Sequence, residues 1–319
     1  MRSTESSGDV VVIHPLDPDD ASMISRIGTA ARTYKGVRWR IEARKQYDAL
    51  MEGVSSRDDV TFESDTVGGV PGLWVHPASS RPDEAILHVH GGWFNAGSAK
   101  AYRPLVGHIA ARAGARAFVP DYRLAPEHPF PAAVDDVLAT YRGMDDSGIR
   151  RIAITGDSAG GNLALVLASN VAAKAVPAKA ILVGAVALSP VTDLTLSGAT
   201  YETRAEADPY FTRQQVAELV HSYLGSADPN DPLASPLQGR LSGLPPIRIH
   251  VGDDEVLLDD SRRYVERAIA AGVNARLDVW TGMPHGFPAI IGPIKASAQA
   301  LDAIGLFLTE RLQADIRHQ

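Results

Sequence analysis

The run G-D-S-A-G at residues 156–160 could place a serine where it acts as a nucleophile. In a G-x-S-x-G turn between a strand and a helix, small residues on either side let the backbone fold tightly and expose the serine oxygen. Arg151–Thr155 before the turn is predicted to be a strand and Asn162–Ala175 after it a helix. The helix N-terminus would direct N–H groups at developing negative charge. We therefore predict that Ser158 is a nucleophile, the alternative being a plain glycine-rich turn.

A second run, H-G-G-W at residues 90–93, directly follows another predicted strand. Acyl transfer places negative charge on a carbonyl oxygen, and losing one backbone N–H aimed at that oxygen typically costs about 3 kcal/mol. Gly91 and Gly92 would let the backbone approach a substrate closely, and with the N–H of Ala159 they would form an oxyanion hole of three donors. His90 is better explained as a residue that braces this loop than as a base.

An acidic run and a histidine follow the last two predicted strands. Because the carboxyl ends of parallel strands meet at one edge of a sheet, Glu255 and His285 are both expected near Ser158. The chain order serine, acid, histidine is that of an α/β-hydrolase triad. Glycines and a proline around His285 favour a shaped loop over a helix face. We predict His285 as the general base and Glu255 as the acid, with Asp254 left open as its rival and Asp253 less suitable.

Alternating strands and helices must position these groups. Strands are predicted at Ile86–His90, Arg116–Pro120, Arg151–Thr155, Ala180–Leu188, Ile247–Val251 and Ala275–Trp280. Helices are predicted at Ala101–Ala113, Ala132–Gly143, Asn162–Ala175, Asp259–Ala271 and Ile294–Leu312, and Asp259 and Asp260 are expected to cap theirs. Strands that are apolar on both faces, alternating with helices, predict an α/β fold with a mostly parallel sheet covered on both sides.

Two segments do not fit this alternation. Residues 1–57 are predicted to be helical, with helices at Ala21–Tyr34 and Arg38–Met51, and the segment 194–228 inserts a helix at Thr212–Tyr223. Because ligands bind at the carboxyl ends of strands, both segments are predicted to form a helical cap over a hydrolase core of residues 58–193 and 229–319. The alternative is helices on the rim of the sheet without a functional role.

Composition narrows the class of protein. The 319 residues include 45% hydrophobic and 22% charged residues, as in an ordinary globular protein, and the net charge of −7 gives no reason to expect nucleic acid or an anionic membrane as a partner. No run approaches the roughly 20 apolar residues of a membrane span, and the polar start lacks a signal-peptide pattern. Without cysteine, disulfides and thiolate sites are excluded. A cytoplasmic protein is the expectation.

Taken together, the motifs resemble those of the hormone-sensitive-lipase-like bacterial esterases, also called family IV. The resemblance covers residues 58–312 and includes the elbow with its second glycine, D-Y-R-L-A-P-E at 121–127 before F-P-A at 130–132, and S-P at 189–190 with Asp193. It implies the α/β-hydrolase fold, an N-terminal cap, a preference for short acyl chains, and no metal or cofactor. It also implies a structural role for residues 121–127. Dimerisation through the last strand is common in the family, so a homodimer is left open.

The chain departs from the family pattern at two positions. The common H-G-G-G reads H-G-G-W, so Trp93 should fill space beside the oxyanion loop and narrow the pocket. The common acid motif D-x-L-x-D reads E-V-L-L-D at residues 255–259, which resembles the family members that use glutamate as the triad acid.

These observations predict a serine carboxylesterase that hydrolyses short-chain acyl esters through an acyl-enzyme intermediate. The same residues could act on lactones, amides or carbamates, because all of these pass through a tetrahedral oxyanion. A different class would be a non-catalytic small-molecule receptor, as in the plant gibberellin receptors, which resemble this family but lack the catalytic histidine. The presence of Ser158 and His285 argues against that class.

Six residues near these motifs are candidates for the walls of a substrate pocket, although apolar residues at such spacing more often belong to a core. They are Trp93, Phe94, Tyr210, Phe211, Val256 and Phe287.

Overall fold

One mixed sheet of nine strands organises the part of the chain, residues 10–38 and 40–314, that the computed structural model describes. The strands are β1 (Val11–His14), β2 (Val60–Val67), β3 (Val70–Pro77), β4 (Glu84–Val89), β5 (Ala117–Pro120), β6 (Arg151–Asp157), β7 (Ile181–Leu188), β8 (Ile247–Gly252) and β9 (Ala275–Trp280). Their order across the sheet is β1-β9-β8-β7-β6-β4-β5-β3-β2. Only the pairs β2/β3 and β3/β5 among these strands are antiparallel. The predicted mostly parallel sheet is confirmed.

Helices cover both faces of this sheet. Those described are α1 (Pro18–Ala31), α2 (Arg44–Glu52), α3 (Arg103–Ala113), α4 (Ala132–Asp146), α5 (Ala159–Ala172), α6 (Thr200–Thr203), α7 (Arg213–Leu224), α8 (Leu258–Ala270) and α9 (Lys295–Gln313), with 3₁₀ turns at Ile41–Ala43, Pro236–Gln238 and Phe287–Ala289. Helices α3 and α9 share one core with Ile86 of β4, whereas α4, α5 and α8 share the other with Leu87. Successive strand residues point to opposite faces, so β4 is apolar on both sides.

Three strands of the sheet are not apparent from the sequence pattern. Six of the eight residues of β2 are exposed, so this strand has no apolar face that a period of two could reveal. Gly68 and Gly69, both at positive φ, join β2 to β3 in a hairpin turn. The six predicted strands are all present, and they carry every loop that holds a predicted site residue of the core.

Strand β1 corrects the prediction that residues 1–57 are purely helical. Residues 11–14 pair in parallel with β9, with Val11 opposite Leu277. A run of four residues on the rim of the sheet, half of them exposed, is too short to show a periodic pattern. The prediction for residues 1–9 lies outside the described residues.

The outer edge of β9 is therefore covered. The ring of His14 stacks on Trp280 with 3.8 Å between ring centroids, and its Nε2 lies 2.8 Å from a carboxylate oxygen of Asp278. Because β1 occupies the hydrogen-bonding edge of β9, a homodimer formed through the edge of the last strand would first require β1 to leave.

The helices outside the alternating pattern contact each other. The guanidinium of Arg32, just after α1, donates to the carbonyl of Glu206 at 2.9 Å. The side-chain amide of Gln215 in α7 donates to the carbonyl of Val37 at 2.9 Å. The N-terminal helices thus pack on the inserted segment, while the cap boundaries at residues 57, 194 and 228 stay a prediction. In the described residues, every helix is too short or too polar to cross a membrane; the cytoplasmic location stays a prediction.

Candidate active site

The predicted nucleophile lies in a strained turn between β6 and α5. Ser158 has φ +54° and ψ −117°, a conformation that costs a non-glycine residue about 1–3 kcal/mol and persists only where its surroundings hold it. Its N–H donates to the carbonyl of Leu188 at 2.8 Å. A Cβ on Gly160 would lie 1.9 Å from the carbonyl oxygen of Val89, so only glycine allows this approach of α5 to β4. The turn therefore holds Ser158 at the carboxyl edge of the sheet.

The carboxylate of Glu255 is fully buried and contacts the predicted base. Its Oε2 accepts a hydrogen bond from Nδ1 of His285 at 2.8 Å. Its Oε1 accepts from the hydroxyl of Ser189 at 2.7 Å and from the N–H of Gly252 at 2.6 Å. Because an ionised carboxylate can only accept, Nδ1 carries the ring proton and Nε2 keeps its lone pair. This is the tautomer that a general base for Ser158 requires.

The rival acids have other surroundings. Within the described chain, the carboxylate of Asp254 makes no hydrogen bond, and burial, with the charge of Asp253 beside it, raises its pKa. Asp253 accepts the N–H of Gly282 and so braces the histidine loop. The two loops touch closely, since a Cβ on Gly252 would lie 1.9 Å from the carbonyl oxygen of Met283. The geometry thus separates Glu255 from its neighbours, which the sequence leaves open.

The prediction that Asp259 and Asp260 cap α8 is wrong. Both lie within the first turn of that helix, whose N-terminus has no side-chain cap hydrogen bond. Asp260 instead accepts the N–H groups of Thr192 and Asp193 at 2.7 and 3.0 Å, and burial raises its pKa to about 7. Asp260 therefore anchors the loop after β7, which also carries Ser189, a hydrogen-bond donor to Glu255.

Competing effects set the pKa of His285. Burial lowers it, because the charged ring loses water. The hydrogen bond to Glu255 raises it, as do the negative charges of Glu255, Asp208 and Asp157, and together they outweigh burial. The pKa of His285 therefore lies above its ordinary value of 6.5. A raised pKa makes the ring a stronger acceptor for a hydroxyl proton.

The predicted nucleophile and the predicted base are both poorly accessible. Ser158 is 3% exposed and the side chain of His285 is 13% exposed. In the described residues, the hydroxyl of Ser158 makes no hydrogen bond to the ring. Such bonds are often long in ligand-free enzymes and shorten only once substrate is bound.

The oxyanion loop after β4 departs from its predicted geometry. The N–H of Gly91 donates to Oδ1 of Asp157 at 2.9 Å and to the hydroxyl of Tyr102 at 3.1 Å, so its predicted role as an oxyanion donor is wrong. Three nearby N–H groups donate to no acceptor within the described part of the chain: those of Gly92, Trp93 and Ala159.

His90 braces this loop and is not a base. Its Nδ1 lies 2.9 Å from the carbonyl oxygen of Gly91, and its ring stacks on Tyr122, whose hydroxyl donates to the His90 carbonyl at 2.9 Å. Burial lowers the pKa of His90 to about 4, so the ring is neutral at ordinary pH.

Three of the six candidate wall residues lie around the base. Phe211 packs edge-to-face against His285, with 5.2 Å between centroids, and against Trp93, with 5.4 Å. Tyr210 lies beside Phe211 at 6.1 Å. The inserted segment therefore reaches over the histidine, and Trp93 meets it from the oxyanion loop.

The other three candidates are core residues, and the expectation that they line the pocket is corrected. Phe94 stacks face-to-face on Tyr223 at 3.7 Å and is 1% exposed. Phe287 is fully buried beside Trp280. Val256 is fully buried in the core that α4, α5 and α8 share with Leu87. Each neighbours a site residue in sequence, but its side chain points into the packing that supports the loop.

Three supporting residues escape the sequence analysis as functional candidates. Asp157 lies behind the oxyanion loop with its side chain 16% exposed, and the loss of water around its carboxylate raises its pKa to about 6. Asp208 accepts the N–H groups of Tyr210, Phe211 and Val256 and so ties the inserted segment to the acid loop. Ser189 bonds Glu255. Asp157 and Ser189 stand inside motifs already noted, whereas no local pattern marks Asp208.

Comparisons with known proteins show which family the chain resembles. A family model described as the α/β hydrolase fold matches residues 86–289. The chain is 34% identical over 271 residues to an acetyl-hydrolase of Streptomyces hygroscopicus, covering 84% of this chain and 89% of that protein. It is 36% identical over 235 residues to an esterase of Acinetobacter venetianus, covering 73% and 77%.

Solved structures extend the similarity to the whole fold. The crystal structure of an esterase from the bacterial hormone-sensitive lipase family matches with a TM-score of 0.86 at 37% identity, covering 93% of this chain and 99% of that one. The range matched by the family model includes the loops that hold Ser158, Glu255 and His285.

Proposed function

The chain belongs to the hormone-sensitive-lipase-like esterases of the α/β-hydrolase superfamily, and we propose that it hydrolyses short-chain acyl esters through an acyl-enzyme formed on Ser158. The protein is a carboxylic ester hydrolase, whose substrate is a small-molecule ester. The observation that carries the finer proposal is the 2.8 Å hydrogen bond between His285 and the buried Glu255, at the sheet edge that also presents the strained turn of Ser158.

In the first step, the oxygen of Ser158 attacks the ester carbonyl carbon while Nε2 of His285 takes the hydroxyl proton. Glu255 holds the ring through Nδ1 and stabilises the imidazolium that forms. The carbonyl oxygen becomes an oxyanion, which receives hydrogen bonds from the N–H groups of Gly92, Trp93 and Ala159. This set of donors replaces the set of Gly91, Gly92 and Ala159 that the sequence predicts.

In the second step, the oxyanion collapses to the acyl-enzyme as the carbon–oxygen bond to the alcohol breaks. The imidazolium of His285 gives its proton to the departing alcohol. A water molecule then attacks the acyl carbon, His285 takes its proton, and the same donors hold the second oxyanion. Collapse of this intermediate releases the carboxylic acid and restores Ser158.

The aromatic contacts around the base support a preference for short acyl chains. Trp93 stands where the family commonly has glycine, and its ring meets Phe211 over His285. Both rings take up volume beside the carbonyl position, and an acyl chain longer than a few carbons would have to displace them.

Replacing Ser158 with alanine tests the proposal. We expect Ser158→Ala to abolish hydrolysis of p-nitrophenyl esters while circular dichroism and the melting temperature stay close to those of the unchanged protein. Turnover that survived in this variant would refute the acyl-enzyme on Ser158.

A substrate panel tests the ester preference. Acyl chains of two to sixteen carbons, lactones, anilides and carbamates should give the highest kcat/KM for the shortest linear esters. A rapid burst of p-nitrophenol, stoichiometric with enzyme, would exclude a receptor without catalysis. Faster turnover of lactones or anilides than of every linear ester would contradict the proposed substrate class.

A further inference from the structure

The oxyanion loop contains two consecutive strained residues. Trp93 has φ +53° and Phe94 has φ +61°, and neither is glycine. A large side chain in this region is strained, so the conformation persists only where neighbouring groups over-determine it. The contacts that hold residues 91–95 therefore decide where the N–H groups of this loop point.

Some of these contacts come from the loop itself and from the cap. The side-chain amide of Asn95 donates to the carbonyl of Trp93 at 2.6 Å, and its oxygen accepts the hydroxyl of Ser222 in α7 at 2.9 Å. The carbonyl of Phe94 accepts the N–H of Ala125 at 2.9 Å. The end of the loop is thus tied to two neighbouring segments.

Helix α2 of the N-terminal segment holds the same end of the loop. Nε of Arg44 donates to the carbonyl of Asn95 at 2.6 Å, and Nη2 donates to the carbonyl of Ala125 at 2.7 Å. The guanidinium also pairs with both carboxylate oxygens of Glu127 at 2.7 Å, which lowers the pKa of Glu127 to about 2. A planar guanidinium can make all these bonds at once, whereas an ammonium cannot.

One turn later, the same helix reaches the start of the loop. The hydroxyl of Tyr47 lies 2.7 Å from that of Tyr102. Tyr102 donates to Oδ2 of Asp157 at 2.9 Å and accepts the N–H of Gly91 at 3.1 Å. Because the proton of the Tyr102 hydroxyl goes to Asp157, Tyr47 donates to Tyr102 and strengthens this chain of bonds.

We propose that Arg44 and Tyr47 of α2 are positioning residues that hold the oxyanion loop in its strained conformation from both ends. They lie three residues apart, on one face of the helix. This inference rests on the proposed function and goes beyond it: α2 acts on the transition state without touching the substrate. The N-terminal segment is then required for catalytic rate.

The consequence for catalysis follows from the geometry of an oxyanion hole. Complete loss of one donor lowers kcat by about 10²–10³-fold, and a misplacement of about 1 Å caused by a remote change can cost about 10²-fold. Loosening one end of a loop that keeps its other anchors should cost less. We expect a fall in kcat of about 10-fold for each end and little change in KM.

Two variants test the two ends of the loop. Arg44→Lys keeps the positive charge but cannot keep the whole set of bonds, and Tyr47→Phe removes only a hydroxyl. Both should lower kcat by about 10-fold, and the double variant should lower it further. Affinity for an alkyl trifluoromethyl ketone, whose adduct with Ser158 carries an oxyanion, should weaken in proportion to kcat/KM.

Two matched controls separate positioning from stability. Glu127→Gln weakens the ion pair but leaves the bonds from Arg44 to Asn95 and Ala125, so kcat should stay within about twofold even if the melting temperature falls. Lys45→Ala changes an exposed residue of the same helix and should have no effect.

The inference is overturned if Arg44→Lys and Tyr47→Phe match Lys45→Ala in kcat and in ketone affinity. It is also overturned if the losses in kcat follow the melting temperature and Glu127→Gln shows them equally. A failure of the proposed function would look different, because the unchanged protein itself would then neither hydrolyse esters nor bind the ketone.

Discussion

Replacing Glu255 with glutamine would change one oxygen of the carboxylate into a donor, and the structure predicts which one. Oε1 accepts two hydrogen bonds, from the hydroxyl of Ser189 and from the backbone N–H of Gly252. The backbone group can only donate, so the amide oxygen of the glutamine must face it. The amide NH₂ then faces Nδ1 of His285. We expect this nitrogen to lose its proton and Nε2 to become protonated.

In that tautomer, Nε2 cannot take the proton of Ser158. The equivalent change from carboxylate to amide in the triad of a serine protease lowers kcat by about 10⁴-fold through the same tautomer switch. At about 1.36 kcal/mol for each tenfold, this is about 5 kcal/mol of transition-state stabilisation. The bonds to Ser189 and Gly252 survive in the variant, so the fold should be little affected.

The assay compares Glu255→Gln with Asp254→Asn, which changes the neighbouring carboxyl that makes no hydrogen bond in the described structure. We expect kcat for p-nitrophenyl acetate to fall by about 10³–10⁴-fold in the first variant and to stay within about threefold in the second. Thermal unfolding checks that both are folded. If Glu255→Gln kept a tenth or more of its activity while Asp254→Asn lost it, the assignment of the acid would be refuted.

Three further predictions follow from the structure. The pKa of His285 lies above 6.5, so kcat/KM should fall as the pH drops through a value above 6.5, and this acidic limb of the pH profile should move to lower pH in Glu255→Gln. The raised pKa also contributes to the stability of the folded protein. This contribution is fully present below pH 6.5 and is lost as the pH rises through the folded-state pKa, which thermal unfolding measured against pH can check. Trp93→Gly should raise the ratio of kcat/KM for octanoyl esters to kcat/KM for acetyl esters by about 10-fold, because it removes a large ring beside His285, and glycine tolerates the φ of +53° at this position. The control Phe94→Leu changes a core residue and should leave this ratio unchanged. Deleting residues 1–15, which include β1, uncovers the edge of β9 and should therefore lower the melting temperature and cause self-association in size-exclusion chromatography. The control Ile13→Ser, at an exposed position of β1, should do neither. A deletion variant that stayed monomeric would contradict this prediction.

The nucleophile and its turn could be predicted because their signal is local. Gly156 and Gly160 flank Ser158 within five residues: a Cβ on Gly156 would meet the carbonyl oxygen of Gly160 inside the turn, whereas a Cβ on Gly160 would meet that of Val89 in β4. The six strands buried on both faces are also local patterns, since a short apolar run bounded by turns needs no knowledge of its neighbours. The strand β2 lacks such a run and is not apparent from the sequence.

In the helices outside the alternating pattern, local sequence patterns predicted where the helices lie but not which residues they contact. The helices α1, α2 and α7 are amphipathic and overlap the predicted ranges. Nothing in those ranges shows that Arg44 would reach Asn95 or that Arg32 would reach Glu206, because these partners are 51 and 174 residues apart.

The sequence by itself determined the fold class, the family, and the three residue types at the sheet edge, because each depends on short motifs and on the periodicity of burial. Tertiary structure alone decided that Glu255 rather than Asp254 faces His285, since side-chain direction in a loop depends on what packs behind it. It also decided that the N–H of Gly91 belongs to Asp157 and Tyr102 and not to an oxyanion. A backbone donor bonds whatever acceptor the folded chain brings within reach, and here one of those acceptors comes from 66 residues away.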